Sequence, residues 1–197
     1  MASLFKKKEM ADNKVIYSKD VVEFTTVAYE YCTFAENTAK YSKSDFLKVA
    51  SKMLPLLYVK VSLLPRVEPE LDDVLEDFVD EFTYEQIRSA IRAKITRHDD
   101  YLEVFKDDMH LSEVPIDAQI SEDMADIYQD LKNYCERYRM GIDEISHDAL
   151  AEVTENFERY WGQRLCNALR ALHAALYSGD DLSDEKPVAD DDNTPAQ

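Results

Sequence analysis

The residues best able to do chemistry gather in one stretch, ISEDMADIYQDLKNYCERYRMG, residues 120–141. At helical pitch Asp123, Asp126 and Asp130 occupy about 60° of arc beside an apolar stripe, and Arg137 extends the same row. Three carboxylates spaced by three and four residues could offer oxygen ligands to a divalent cation or hold a small polar ligand. They also repel one another by roughly 0.2 to 0.5 kcal/mol per exposed pair, so a positive partner is expected opposite. Near the C terminus, Arg164 falls inside an apolar arc between Trp161 and Ala168, while Arg159, Arg170 and His173 line one edge of it. Asp123, Asp126, Asp130, Arg164, Arg170 and His173 therefore define a candidate seam between two helices. In its structural form the seam is closed, with arginine stems on apolar surface and charges fixing helix register. In its functional form the aspartates face Arg170 and His173 around a small molecule or a divalent metal. The structural form is the expected one, and no catalytic residue, metal ligand or cofactor is assigned.

Other constellations are weaker. Glu144 and His147 make one Glu-x-x-His unit, which di-iron bundles use in pairs; the nearest second unit is the imitation Asp107 with His110. His98 and His110 lie in polar segments and read as solvated, while His173 reads as a hydrogen-bonded core histidine. Cys32, Cys135 and Cys166 are odd in number, far apart and set among apolar residues, as free buried thiols are, which points to a reducing cytoplasmic compartment. With only three glycines, Gly141, Gly162 and Gly179, no phosphate-cradling glycine loop and no GxSxG can be written.

The elements that must position these groups are helical. Of the 197 residues 45% are hydrophobic, enough for one core. Ser18 is placed to cap a helix running to about Ala39, and Ser42 with Asp45 forms a capping box for a second, in which Pro55 predicts a kink or split near Leu54. Residues 67–87 hold nine acids and no base, with Leu71, Val74, Leu75 and Phe78 suggesting a short acidic helix. Thr83 and Gln86 make another capping box, opening a helix whose basic face could cover those acids. Residues 98–118 read as a long connection with docked aromatics and no strand pattern. Ser121 is expected to cap the 121–138 helix and Gly141 to stop it; the last helix runs from about Asp143 to Leu176, roughly 50 Å unless Gly162 bends it.

The formal charge is −18, of which residues 15–177 carry −14. Such a body does not bind nucleic acid by neutralising phosphates and is repelled by anionic membranes. No stretch is apolar for the roughly 18 residues a membrane span needs. Translation can start at Met1 or Met10, with residues 1–14 a flexible leader and 178–197 a disordered acidic tail.

SEDMADIYQDLKNY from Ser121 and FERYWGQRLCNALRALH from Phe157 resemble a bacterial family known only as domain of unknown function 5063, and DDYLEVF from Asp99 looks like a third element of it. The likeness spans about Ser18 to Leu176. It singles out Tyr128, Phe157, Trp161 and Gly162 beside the aspartates, Arg170 and His173. The resemblance implies a helical cytoplasmic protein and no activity.

The fold expected is all-α: an orthogonal or up-and-down bundle of five or six helices in a single domain, residues 15–177. The expected role is a non-enzymatic accessory or adaptor that binds another protein through the 98–118 connection and acidic surface. Ligand or divalent-metal binding at the seam is the alternative, and an acidic nucleic-acid mimic is a lesser one.

Overall fold

A computed structural model describes residues 15–72, 74–103 and 116–183 of the chain. The leader, Asp107, His110 and the tail beyond Ser183 lie outside the described residues. Among the described residues six helices form the bundle: α1 (Lys19–Glu36), α2 (Lys43–Val61), α3 (Glu81–Ile95), α4 (Ile120–Arg139), α5 (Asp143–Asn156) and α6 (Gly162–Leu176). A π-helical turn, Phe157–Trp161, joins the last two into one rod. The all-helical expectation holds, with one addition. Strands β1 (Asp100–Glu103) and β2 (Ile116–Gln119) pair antiparallel, Asp100 opposite Gln119 and Glu103 opposite Ile116. Their alternation is too short and too polar to stand out in the sequence.

Helix α4 is the axis of the bundle, packed against α1, α3, α5 and α6, while α2 closes against α1 and α6. Met124, Ile127, Tyr128, Leu131, Tyr134 and Cys135 are all buried, as its stripe predicts. Burial extends beyond the stripe to Asp123, Asp126, Asn133, Glu136 and Arg137, so the helix is enclosed on its polar flank as well. Buried tyrosines keep their hydroxyls satisfied: Tyr31 donates to Met124 O at 2.7 Å, Tyr128 to Glu36 Oε1 at 2.9 Å, and Tyr134 and Thr25 share a 2.7 Å bond.

Several local expectations are corrected. Helix α2 is not split at Pro55, which sits inside a continuous Lys43–Val61 helix whose buried Phe46, Leu47, Leu54 and Leu57 hold it together across the missing donor. Ser42 does cap it, accepting from Asp45 N at 3.1 Å. Ser18 stands at the start of α1 but makes no side-chain cap bond. The cap of α3 is Asp80, accepting from Thr83 N at 2.8 Å, because the helix begins before the Thr83 capping box. Ser121 does not cap α4: Asp99, 1% exposed, does so from outside, accepting from Ser121 N at 2.7 Å and Ser121 Oγ at 2.8 Å. Gly141 ends α4 with φ +69°, a conformation suited to glycine. Cys32 and Cys135 are buried as expected, whereas Cys166 is exposed on α6.

The largest correction is the acidic stretch. Among the described residues of 65–80 there is no helix; the chain runs extended across α4 and α5 as a strap. Its acids repel along any helix they would form, and side chains from the bundle take its backbone instead. Asp148 accepts from Glu70 N at 2.7 Å and Leu71 N at 2.8 Å. Asn133 Oδ1 accepts from Phe78 N at 2.7 Å and Val79 N at 3.1 Å. Arg137, 3% exposed, donates to Glu76 O at 2.9 Å and pairs with Asp77 and Glu152 at 3.0 and 2.7 Å. The acids are thus met by Arg137 of α4, while Arg88 and Arg92 of α3 pair with Glu85 and Asp99.

Candidate functional site

The aspartates of α4 do not act as a trio. Asp123 is 0% exposed and is met by Tyr101 of β1, whose hydroxyl donates to Oδ2, and by Arg164 of α6, whose Nη1 lies 3.1 Å from Oδ1. Asp126, one turn on, accepts from Tyr84 of α3 at 2.8 Å and from Tyr160 of the π turn at 2.7 Å, with Arg164 Nε 3.4 Å from Oδ2. The Arg164 guanidinium also lies 5.3 Å from the Tyr160 ring centre, a cation–π distance. Asp130 accepts from Asn156 Nδ2 at 2.6 Å and touches no arginine of α6.

The seam is therefore two carboxylates, three phenols and one guanidinium drawn from five elements. Of the residues expected there, Asp123, Asp126 and Arg164 meet. Arg170 instead donates to Leu102 O at 3.0 Å and props β1. His173 is exposed and faces Tyr177, ring centres 4.7 Å apart. Both lie farther along α6 than the aspartates reach. Tyr84, Tyr101 and Tyr160 went unassigned by sequence reasoning because a tyrosine at an apolar boundary reads as core; only a buried carboxylate's need for donors points to them.

Burial pushes the Asp123 carboxyl up to about 7, against the lowering pull of Tyr101 and Arg164. Burial likewise raises Asp130 to about 6. The Tyr84 and Tyr101 hydroxyls are raised by burial and by the carboxylates they bind, and Tyr160 is pushed up to about 12 for the same reasons. The phenols therefore remain donors, and Asp123 is poised to exchange its proton near neutrality. Among the described residues no group of three His, Cys, Asp or Glu converges to hold a metal ion. Glu144 is exposed, and His147 turns its Nδ1 to Asp148 at 3.3 Å.

The family-motif residues frame the seam. Trp161 is 0% exposed and donates from Nε1 to Val153 O at 3.1 Å. The Phe157 ring lies 4.7 Å from Trp161 and 5.2 Å from Tyr58. At Gly162 a Cβ would collide with the Phe157 carbonyl and ring, so the π turn requires glycine there. That turn carries Tyr160 and leads into α6, placing Tyr160 and Arg164 together over Asp126.

The profile of a family described as "Domain of unknown function (DUF5063)" matches residues 15–178. The chain is 40% identical to protein BF1032 from Bacteroides fragilis, a structural-genomics target with a crystal structure, with a TM-score of 0.75 over 84% of this chain and 98% of that one. No curated protein matches this chain. No described helix is long and apolar enough to cross a membrane.

Proposed function

This chain belongs to the DUF5063 family, whose name carries no activity, and from that premise we propose that it is a non-enzymatic cytoplasmic adaptor that binds another protein through the strap. The observation that carries this reading is the way the strap is held. Its backbone is gripped from beneath by Asp148, Asn133 and Arg137, while Leu71, Val74, Phe78 and, at the start of α3, Phe82 stay exposed, Val74 at 98%. Exposed apolar side chains alternating with acids suit a partner surface with apolar pockets and a basic rim. A phosphate mimic would have no use for those apolar groups, so the strap favours a protein partner over nucleic-acid mimicry.

The test is a photo-crosslinking residue placed at Val74, compared with the same residue at exposed Lys52 on α2, in the native host. Position 74 yields one discrete protein adduct, absent from position 52. The adduct weakens with Phe78→Ser and Phe82→Ser at unchanged melting temperature, and weakens further as salt rises. Equal, diffuse labelling from both positions would sink the reading.

A second reading, a small ligand or divalent cation bound at the seam, is favoured by one observation: a buried carboxyl, Asp123, poised near neutrality. Asp126→Asn and Arg164→Gln separate the two. Loss of ligand-induced stabilisation supports this reading, and lower melting with no ligand effect supports a closed structural seam.

A further inference from the structure

At the C terminus of α3, Thr96 adopts φ 50° and ψ −120°, a conformation that suits glycine and costs a β-branched residue about 1–3 kcal/mol. Surrounding bonds hold it there: buried Lys43 donates from Nζ to Thr96 Oγ1 at 2.7 Å, and Asp99 N donates to Thr96 O at 3.0 Å. The strained residue swings Arg97 and His98 over the end of α6. There His98 Nε2 lies 3.1 Å, and Arg97 Nη2 3.6 Å, from the same Oδ2 of Asp180. The His98 side chain is 8% exposed, and its Nδ1, shielded from solvent, has no hydrogen-bond partner among the described residues.

Arg97, His98, Tyr101 and Arg170 line a cavity of about 440 Å³ whose opposite wall is Ala171 and Ala174 of α6. One acid, Asp100, is also in the lining, and its Oδ1 accepts from Gln119 Nε2 at 3.1 Å. That volume lies within the range of small-molecule sites, and Asp180, though paired with Arg97 and His98, is not among the residues that line it. Two guanidiniums against the single lining carboxylate of Asp100, beside an apolar wall, give the recess positive charge in a chain of net charge −18. Asp180 comes to it from just beyond α6 through Gly179, whose φ of +84° makes the turn available to glycine and strained for other residues.

We propose that this cavity is a binding site for a small organic anion with a carboxylate or phosphate head and an apolar body, and that Asp180 competes in cis for the Arg97 and His98 side chains that would take the head group. The anion's oxygens take the place of the Asp180 carboxylate on Arg97 and His98, and its apolar part lies on the alanines of α6. Asp180 thereby sets the affinity as an internal competitor: a ligand binds only to the fraction of molecules in which the carboxylate has moved aside. This site is separate from the strap and touches the Asp123 seam through Tyr101, whose hydroxyl is turned to Asp123, so it stands or falls independently of the adaptor reading.

The experiment titrates the full chain with phenyl phosphate, benzoate and inorganic phosphate, following the imidazole NMR signals of its four histidines, with His98 assigned through His98→Gln. At least one aromatic anion shifts the His98 signal saturably, and the tighter of the two identifies the preferred head group. Asp180→Asn tightens binding about five- to tenfold by removing the competitor, and Arg97→Gln weakens it about tenfold, as loss of a charge-assisted bond does. Absence of a saturable His98 shift in Asp180→Asn overturns the proposal. So does a shift that Arg97→Gln leaves unchanged, or one that inorganic phosphate reproduces as a non-saturating drift.

Discussion

The two halves of α4 bury polar side chains by different means. In its N-terminal half Asp123 and Asp126 are satisfied by other side chains, Tyr84, Tyr101, Tyr160 and Arg164. In its C-terminal half Asn133 and Arg137 also take the backbone of the strap, beside the side chains of Asp77 and Glu152. A network between side chains demands particular residues at both ends. A side chain that grips backbone constrains only its own position, so the strap can change its outward residues without losing its seat. The first half of α4 is thus built to stay fixed, and the second to hold a surface free to specialise.

Arg137→Ala should produce the largest effect and tests the grip directly. It removes bonds to Glu76 O, Leu75 O, Asp77 and Glu152 and should cost on the order of 4 kcal/mol in thermal unfolding. A glutamate-specific protease should then cut at Glu70 and Glu76 well before the helices. Lower melting with no added strap cleavage would break the contrast between the two halves.

Arg164→Gln probes the other half. It leaves Asp123, 0% exposed, without its cation, and should cost about 3 kcal/mol at pH 8. The cost should shrink at pH 5, where Asp123, already pushed up to about 7, takes a proton. Arg137→Ala should show no such recovery, and equal pH dependence in both variants would erase the distinction.

Asp123→Asn isolates that proton. The folded-state value, about 7, lies above the ordinary 3.8, so the folded protein binds the proton more tightly than the unfolded chain. Its stabilising contribution is fully present below about pH 4 and is lost as pH rises to about 7. The variant lacks this decline, so its stability relative to the parent should rise across that window by on the order of 2 kcal/mol. Asp130, raised to about 6, adds a decline of the same sign that both proteins share.

The smallest expected effect is Asn133→Asp, which keeps the acceptor for Phe78 N and Val79 N but sets a second charge against Asp77. A cost of about 1 kcal/mol that fades at high salt is expected from chemical denaturation.

The same contrast explains what the sequence made legible. Helical periodicity exposed the core stripe of α4, and charge complementarity singled out Asp123, Asp126 and Arg164, because both ends of such contacts carry a signature. The wheel also placed Arg170 and His173 at the seam, since angular position says nothing about how far along a helix the partner extends. Helical spacing predicts a helix where the strap lies, because backbone recognition leaves no mark on the recognised residues; Leu71, Val74 and Phe78 are spaced as a stripe but face outward. Asp99 carries no sequence sign of capping α4 because it reaches Ser121 across the β1–β2 pair rather than from the adjacent position.

The turn at Phe157–Trp161 has a consequence for inheritance. It holds one residue more than an α-helical turn, so everything after it is indexed about 100° away from the face it would otherwise present. Point substitutions in α6 change one contact at a time, whereas a single-residue deletion in this turn would regularise the rod and re-aim Arg164 and all that follows in one step. Gly162 guards that indexing, because its Cβ-free backbone is what lets Phe157 close the wider turn. Length at this point should therefore be under stricter selection than identity: the segment can tolerate conservative changes of residue but not a change in their number.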